Sequence, residues 1–116
     1  VTGWVPGLPG DDVITGLAGN DTLDGGLGND SVLGGDGNDN VGGGGGNDTL
    51  SGGTGNDFLF PGTGSDSVDG ADGFDYLSYA GNAFSVSVTF TGNATGSATK
   101  SGSAGTDVFV NIEGIE

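Results

Sequence analysis

Residues 25–60 read GGLGNDSVL, GGDGNDNVG, GGGGNDTLS and GGTGNDFLF, four nine-residue units in unbroken phase. The phase continues outward on both sides. GLPGDDVIT and GLAGNDTLD precede it from Gly7, and PGTGSDSVD and GADGFDYLS follow it to Ser78. These eight units contain no insertion or deletion. Gly at position 4 and Asp at position 6 recur in every unit, and position 8 is always Ile, Leu or Val. Position 1 is Gly except at Pro61, and position 5 is Asn except at Asp11, Ser65 and Phe74. A fixed period of this kind sets the architecture before any single residue does.

Each position has a physical meaning. Gly at 1, 2 and 4 permits positive φ and close backbone approach, and Asn at 5 tolerates the left-handed conformation. The aliphatic residue at 8 lies in a short extended stretch, with positions 7 and 9 pointing the other way. Each unit is therefore expected to be a six-residue turn and a three-residue strand. A single unit buries almost nothing, but two units per coil place strands on two opposed sheets. Ile14, Val32, Leu50 and Val68 then face Leu23, Val41, Leu59 and Leu77 across a thin aliphatic core. The expected fold is all-β, a parallel β-roll.

Stacked strands lie about 4.8 Å apart, so Asp12, Asp30, Asp48 and Asp66 form one column and Asp21, Asp39, Asp57 and Asp75 another. Columns of carboxylates at that spacing repel each other strongly. Paired carboxylates also serve acid–base catalysis, but a pairing that recurs in every coil suits a row of structural ions. The thin core does not offset the entropy of ordering the repeat, so ion binding must become folding energy. Calcium fits best, since it takes six to eight oxygens, backbone carbonyls included, in flexible geometry. Mg²⁺ keeps its waters, and softer metals want N or S ligands.

Composition supports this by exclusion. Of 116 residues 29 are Gly, and 16 acids against one base, Lys100, give a net charge of −15. Such a chain defaults to disorder unless a pattern overrides it. It repels nucleic acid and has no apolar run long enough to insert in a membrane. With no His and no Cys, zinc-type sites, disulfides, His-based triads and Cys nucleophiles are excluded. Asp36-Gly37-Asn38-Asp39-Asn40 starts like an EF-hand loop, but Val41 and Asn47 stand where its Gly and Glu belong. No catalytic residue is assigned, and the chain is not expected to be an enzyme.

The pattern GGxGxDxUx resembles the RTX calcium-binding nonapeptide repeats of secreted bacterial toxins, proteases, epimerases and adhesins. The resemblance covers residues 7–78 and implies a right-handed parallel β-roll. It also implies a ligand rule: one turn gives carbonyls 2 and 4 and its Asp, and the turn one coil later gives carbonyls 1 and 3 and its Asp. By that rule Leu8, Gly10 and Asp12 meet Gly25, Leu27 and Asp30, while Leu17, Gly19 and Asp21 meet Gly34, Asp36 and Asp39. Gly26, Gly28 and Asp30 meet Gly43, Gly45 and Asp48, and Gly35, Gly37 and Asp39 meet Gly52, Thr54 and Asp57. Gly44, Gly46 and Asp48 meet Pro61, Thr63 and Asp66, and Gly53, Gly55 and Asp57 meet Gly70, Asp72 and Asp75. About six calcium ions are implied, carrying the net charge from −15 to −3. The departures are Leu8 and Leu17 at position 2, where the backbone angle favours Gly, Pro61 at position 1, and Ala71 and Phe74 in the last turn.

Residues 1–6 are expected to be an N-terminal cap or linker, with Trp4 covering the first coil. Residues 79–116 resemble the segment that follows RTX repeats and are expected to form a C-terminal β cap. Phe84, Val86, Val88 and Phe90 alternate with polar residues, as do Val108, Val110 and Ile112. The polar stretch 91–106 reads as a mobile loop. Phe58, Phe60 and Tyr76 point outward as an aromatic cluster that wants cover; the 84–90 strand is expected to supply it, and a carbohydrate platform is the rival reading.

The resemblance implies a calcium-binding module that folds outside the cell, a folding, secretion or stabilising domain of a larger secreted bacterial protein exported through a type I channel. The alternatives are an adhesion or carbohydrate-recognition spacer of a large adhesin, or a non-catalytic accessory domain of a secreted polysaccharide-active enzyme or protease. Ice binding wants a regular Thr array, and only Thr54 and Thr63 occupy position 3. The expected partners are calcium ions and other domains of the parent protein. The chain is expected to be a monomer, extracellular or at the bacterial cell surface.

Overall fold

The computed structural model describes residues 4–102 and 104–116, the side chains of Trp4 and Val5 excepted. The expected Trp4 cover therefore lies outside the described residues. Thirteen strands and no helix form among the described residues. In chain order they are β1 (Trp4–Pro6), β2 (Val13–Ala18), β3 (Thr22–Leu27), β4 (Ser31–Asp36), β5 (Asn40–Gly45), β6 (Thr49–Thr54), β7 (Phe58–Phe60), β8 (Ser67–Asp72), β9 (Tyr76–Leu77), β10 (Val86–Gly92), β11 (Thr95–Lys100), β12 (Thr106–Val110) and β13 (Gly114–Ile115).

Odd and even units go to different sheets. β2, β4, β6 and β8 pair in parallel in one sheet, and β1, β3, β5, β7, β9 and β13 in the other. The register advances by one 18-residue coil: Ile14 pairs with Val32 and Val32 with Leu50, while Leu23 pairs with Val41 and Val41 with Leu59. All eight aliphatic residues at position 8 are buried in one core. This is the parallel β-roll.

The strands are longer than expected. Most run six residues, over positions 7–9 of one unit and 1–3 of the next, so the sharp turn narrows to positions 4–6. Alternation continues through it, and positions 6, 8 and the following 1 all face inward. The left-handed role expected for Asn at position 5 is also corrected. No Asn of the repeat has positive φ; instead its side-chain oxygen accepts the backbone N–H of position 5 one coil later, as Asn29 does from Asn47 at 2.8 Å.

The segment after Leu77 differs from its sequence reading in three respects. The 91–106 stretch, expected to be a mobile loop, contains β11, antiparallel to both β10 and β12, with Ala98 and Lys100 buried. The strand expected over 84–90 forms as β10 but lies at the outer edge of the sheet that holds β2, β4, β6 and β8, and Phe90 packs edge-on against Phe109. Phe58, Phe60 and Tyr76, on β7 and β9 of the other sheet, stay exposed, at 42, 38 and 37%. In β12 the buried face is Asp107 and Phe109, with Val108 and Val110 outward. Phe109 pairs with Val68 and Ile115 with Leu77, so both aliphatic columns continue by one more step.

Candidate metal centre

The inward alternation of positions 6, 8 and 1 brings three residue types together inside each coil: Asp, an aliphatic residue and Gly. Asp21, Asp30, Asp39, Asp48, Asp57, Asp66 and Asp75 are all buried, at 3% exposure or less. Each column is bonded along its length through one carboxylate oxygen. The Asp12 N–H donates to Asp30 Oδ1 at 2.8 Å, Asp30 to Asp48 at 2.8 Å, and Asp48 to Asp66 at 2.9 Å. In the other column Asp21 donates to Asp39 at 2.8 Å, Asp39 to Asp57 at 2.8 Å, and Asp57 to Asp75 at 2.9 Å.

The second oxygen is different. Oδ2 of Asp30, Asp39, Asp48, Asp57 and Asp75 is buried and has no hydrogen-bond partner. A buried carboxylate oxygen is costly to leave unmatched, and a row of them marks where positive charge belongs. Burial is the largest cause raising Asp39, Asp48 and Asp57 above the ordinary carboxylate value; the N–H each accepts lowers it, and the preceding Asp charge raises it. Asp75 is pushed up to about 6 and Asp66 to about 7, again with burial foremost.

Gly at position 1 is what leaves room beside that oxygen. A Cβ on Gly43 would stand 2.5 Å from Asp48 Oδ2 and 2.7 Å from the Pro61 carbonyl oxygen. On Gly25 it would stand 2.6 Å from both Asp30 Oδ2 and the Gly43 carbonyl oxygen. The Asp of one turn and carbonyl 1 of the turn one coil later thus converge beside these glycines, and a Cβ there would crowd both oxygens. The ligand rule pairs the same residues, Asp30 with Gly43 and Asp48 with Pro61. Gly16, Gly34 and Gly52 are hemmed in the same way by Asp21, Asp39 and Asp57 and by the carbonyls of Gly34, Gly52 and Gly70.

The remaining predicted carbonyls lie at the same turns. Position 4 has positive φ in every unit, and Gly26, Gly35, Gly44 and Gly53 share it at position 2. Leu17 adopts it too, at 78°, without the freedom of Gly. Carbonyls 3 of Leu27, Asp36, Gly45, Thr54, Thr63 and Asp72 each accept the N–H of position 4 one coil earlier: Gly10, Gly19, Gly28, Gly37, Gly46 and Gly55. One lone pair remains on each. Leu8 is the exception at position 2, lacking positive φ. Its N–H donates to Asp12 Oδ2 at 3.1 Å, so the first turn engages the oxygen that the interior turns leave unmatched.

The donor set is all oxygen. Among the described residues no three acidic side chains gather at one point; the oxygens that crowd each position-1 glycine are one carboxylate and one backbone carbonyl. This suits a hard, flexible cation and fits calcium.

Three participants escaped the sequence reading. Asp107 Oδ1 accepts the Asp66 N–H at 3.0 Å and Glu113 Oε2 accepts that of Asp75 at 2.8 Å, so each column gains a fifth carboxylate. The third is Lys100, whose ammonium lies 3.2 Å from Asp66 Oδ2 and 2.7 Å from Asp107 Oδ1. A signal was present: Gly105-Thr106-Asp107-Val108-Phe109 repeats positions 4 to 8, with Phe for the aliphatic residue.

The family profile of the RTX calcium-binding nonapeptide repeat (4 copies) matches residues 6–41 and 42–77, more than half of the chain. No curated protein matches the sequence.

Proposed function

The chain belongs to the RTX calcium-binding nonapeptide repeat family, and from that premise we propose that it is a module whose folding is gated by calcium outside the cell. RTX repeats bind calcium. The finer reading concerns what the ions do here. The observation that carries it is the row of buried Oδ2 atoms without partners, those of Asp30, Asp39, Asp48, Asp57 and Asp75. Bound calcium supplies the positive charge that lets these carboxylates stay ionised inside the roll. Without it the columns repel along their length, and the chain's net charge of −15 favours an extended state.

The six sites set out by the ligand rule, from Asp12 with Asp30 to Asp57 with Asp75, are the proposed calcium sites. Residues 1–6 serve as an N-terminal cap or linker, 7–78 as the roll and 79–116 as a C-terminal cap, within a larger secreted bacterial protein. An extended apo chain suits export through a narrow channel, and extracellular calcium then drives folding. The module itself is non-catalytic. A calcium titration of calcium-free protein followed by far-UV circular dichroism tests this. The reading expects a cooperative coil-to-β transition that magnesium does not reproduce; a chain already β-rich without calcium contradicts it.

One observation favours a second reading, carbohydrate recognition or adhesion. Phe58 and Tyr76 stack with centroids 5.4 Å apart and planes 13° from parallel, and both are exposed. Flat exposed aromatics suit stacking on sugar rings. Binding on a glycan array that is lost in Phe58→Ala supports this reading, and a blank array rejects it.

A further inference from the structure

We propose that Lys100 is a tethered cation standing in for a calcium ion at the last step of the odd column. It would close that ion row from within the chain. The inference rests on the calcium reading above.

At the interior steps the Oδ2 of Asp30 and Asp48 faces the gap between coils with no partner. The column continues past Asp66 to Asp107, whose Oδ1 accepts the Asp66 N–H as each Asp does from the one before it. Here alone in the column the gap holds a positive charge. Lys100 Nζ donates to Asp66 Oδ2 at 3.2 Å and to the Gly62 carbonyl at 2.9 Å, and pairs with Asp107 Oδ1 at 2.7 Å. Gly62 is position 2 of its unit, Asp66 is that turn's carboxylate, and Asp107 is the carboxylate one step later. These are three of the oxygens that the ligand rule would give to an ion at this step.

The surroundings hold the ammonium in place. The side chains of Lys100, Asp66 and Asp107 are fully buried, and a buried charge persists only when paired and hydrogen-bonded. Asp107 Oδ2 accepts the Tyr79 hydroxyl at 2.6 Å. The rings of Tyr79 and Phe84 lie 5.9 and 5.7 Å from Nζ. The even column supplies the contrast. It also extends by one carboxylate, Glu113, but no lysine reaches it and Asp75 Oδ2 is unmatched. Lys100 is the only base in the sequence, and β11 delivers it to the one step where β12 joins the roll through β8.

A lysine carries one charge and a calcium ion two, so removing the ammonium leaves two buried carboxylates and a carbonyl ready for a divalent cation. The test is to count calcium bound per chain at saturation by equilibrium dialysis, for the wild-type chain and for Lys100→Gln, Lys100→Ala and Lys100→Arg. The expected result is one additional ion in Lys100→Gln, whose amide oxygen adds a ligand, and in Lys100→Ala, which clears the space. Lys100→Arg should match wild type. An unchanged count in folded Lys100→Gln and Lys100→Ala overturns the inference. So does failure of both to fold at saturating calcium, because an ion able to replace the ammonium would restore the fold. A wild-type chain that binds no calcium refutes the calcium reading itself, which separates the two failures.

Discussion

The Asp30 backbone N–H donates to Asp48 Oδ1 at 2.8 Å, and this bond leaves Asp48 Oδ2 buried and unmatched. One carboxylate thus does two things. Its first oxygen locks neighbouring coils in register, and its second demands a cation. Asp48→Asn separates these, because the amide keeps an acceptor for the Asp30 N–H and loses the charge. In calcium-free protein it should favour the folded state, because it removes a buried charge that Asp30 repels along the column. In calcium it should raise the concentration needed for folding by at least about tenfold, a loss of roughly 1.4 kcal/mol or more of binding energy. Opposite signs in the two conditions, read from β content without calcium and from calcium midpoints, check the dual role.

Gly42 and Gly43 are adjacent and predict opposite outcomes. A Cβ on Gly43 would crowd the carboxylate, 2.5 Å from Asp48 Oδ2. A Cβ on Gly42 would find its nearest atom at 3.4 Å, an ordinary contact. Gly43→Ala should therefore lose calcium-induced folding at that step, while Gly42→Ala should titrate like wild type. Matched calcium titrations of the two variants decide it.

Leu17 holds φ at 78° with its side chain exposed. Left-handed geometry costs a non-glycine residue about 1–2 kcal/mol. Leu17→Gly relieves that strain and offsets part of it by added freedom in the unfolded chain. A net gain of roughly 0.5–1 kcal/mol in calcium-loaded protein is expected, measured by denaturant unfolding.

Protonation gives the fourth prediction. Burial pushes Asp66 up to about 7 and Asp75 to about 6, well above the ordinary carboxylate value of the unfolded chain. A group whose folded value is raised stabilises the fold when protonated, and that contribution is lost as pH rises through the folded value. Calcium-free protein should therefore gain stability on acidification from pH 8 to pH 5, through the window about 7 to 6 where these two groups titrate. Calcium-loaded protein should lose stability over the same range, because protons compete with the ion. Far-UV circular dichroism of the calcium-free chain, whose β content should rise on acidification, and melting temperatures of the calcium-loaded protein check both signs.

Much of this was legible in the residues. The spacing of Asp12, Asp30, Asp48 and Asp66 carried the columns, and the aliphatic residue at position 8 carried both sheets, because an 18-residue coil leaves one way to stack them. The C-terminal third was harder for a physical reason. β10, β11 and β12 pair antiparallel, while β12 and β13 join the roll in parallel with β8 and β9, some forty residues back, and its short polar residues carry no period. Lys100 sits in the run SATKSG, which reads as solvated loop; only the column it completes, 34 residues back at Asp66, gives it a buried role. Phe58 and Tyr76 looked like a surface to be covered, but β10 found a sheet edge instead.

The proposed cations fill the gaps between coils at the unmatched Oδ2 atoms. Anomalous diffraction from crystals grown in calcium tests it most directly. Calcium peaks are expected along both columns, about 2.3–2.6 Å from oxygen ligands, among them Asp48 Oδ2 and the Pro61 carbonyl, with the Lys100 ammonium in place of a peak beside Asp66 and Asp107. Empty gaps, or calcium confined to the outer Asn29 and Asn47 face, would contradict it.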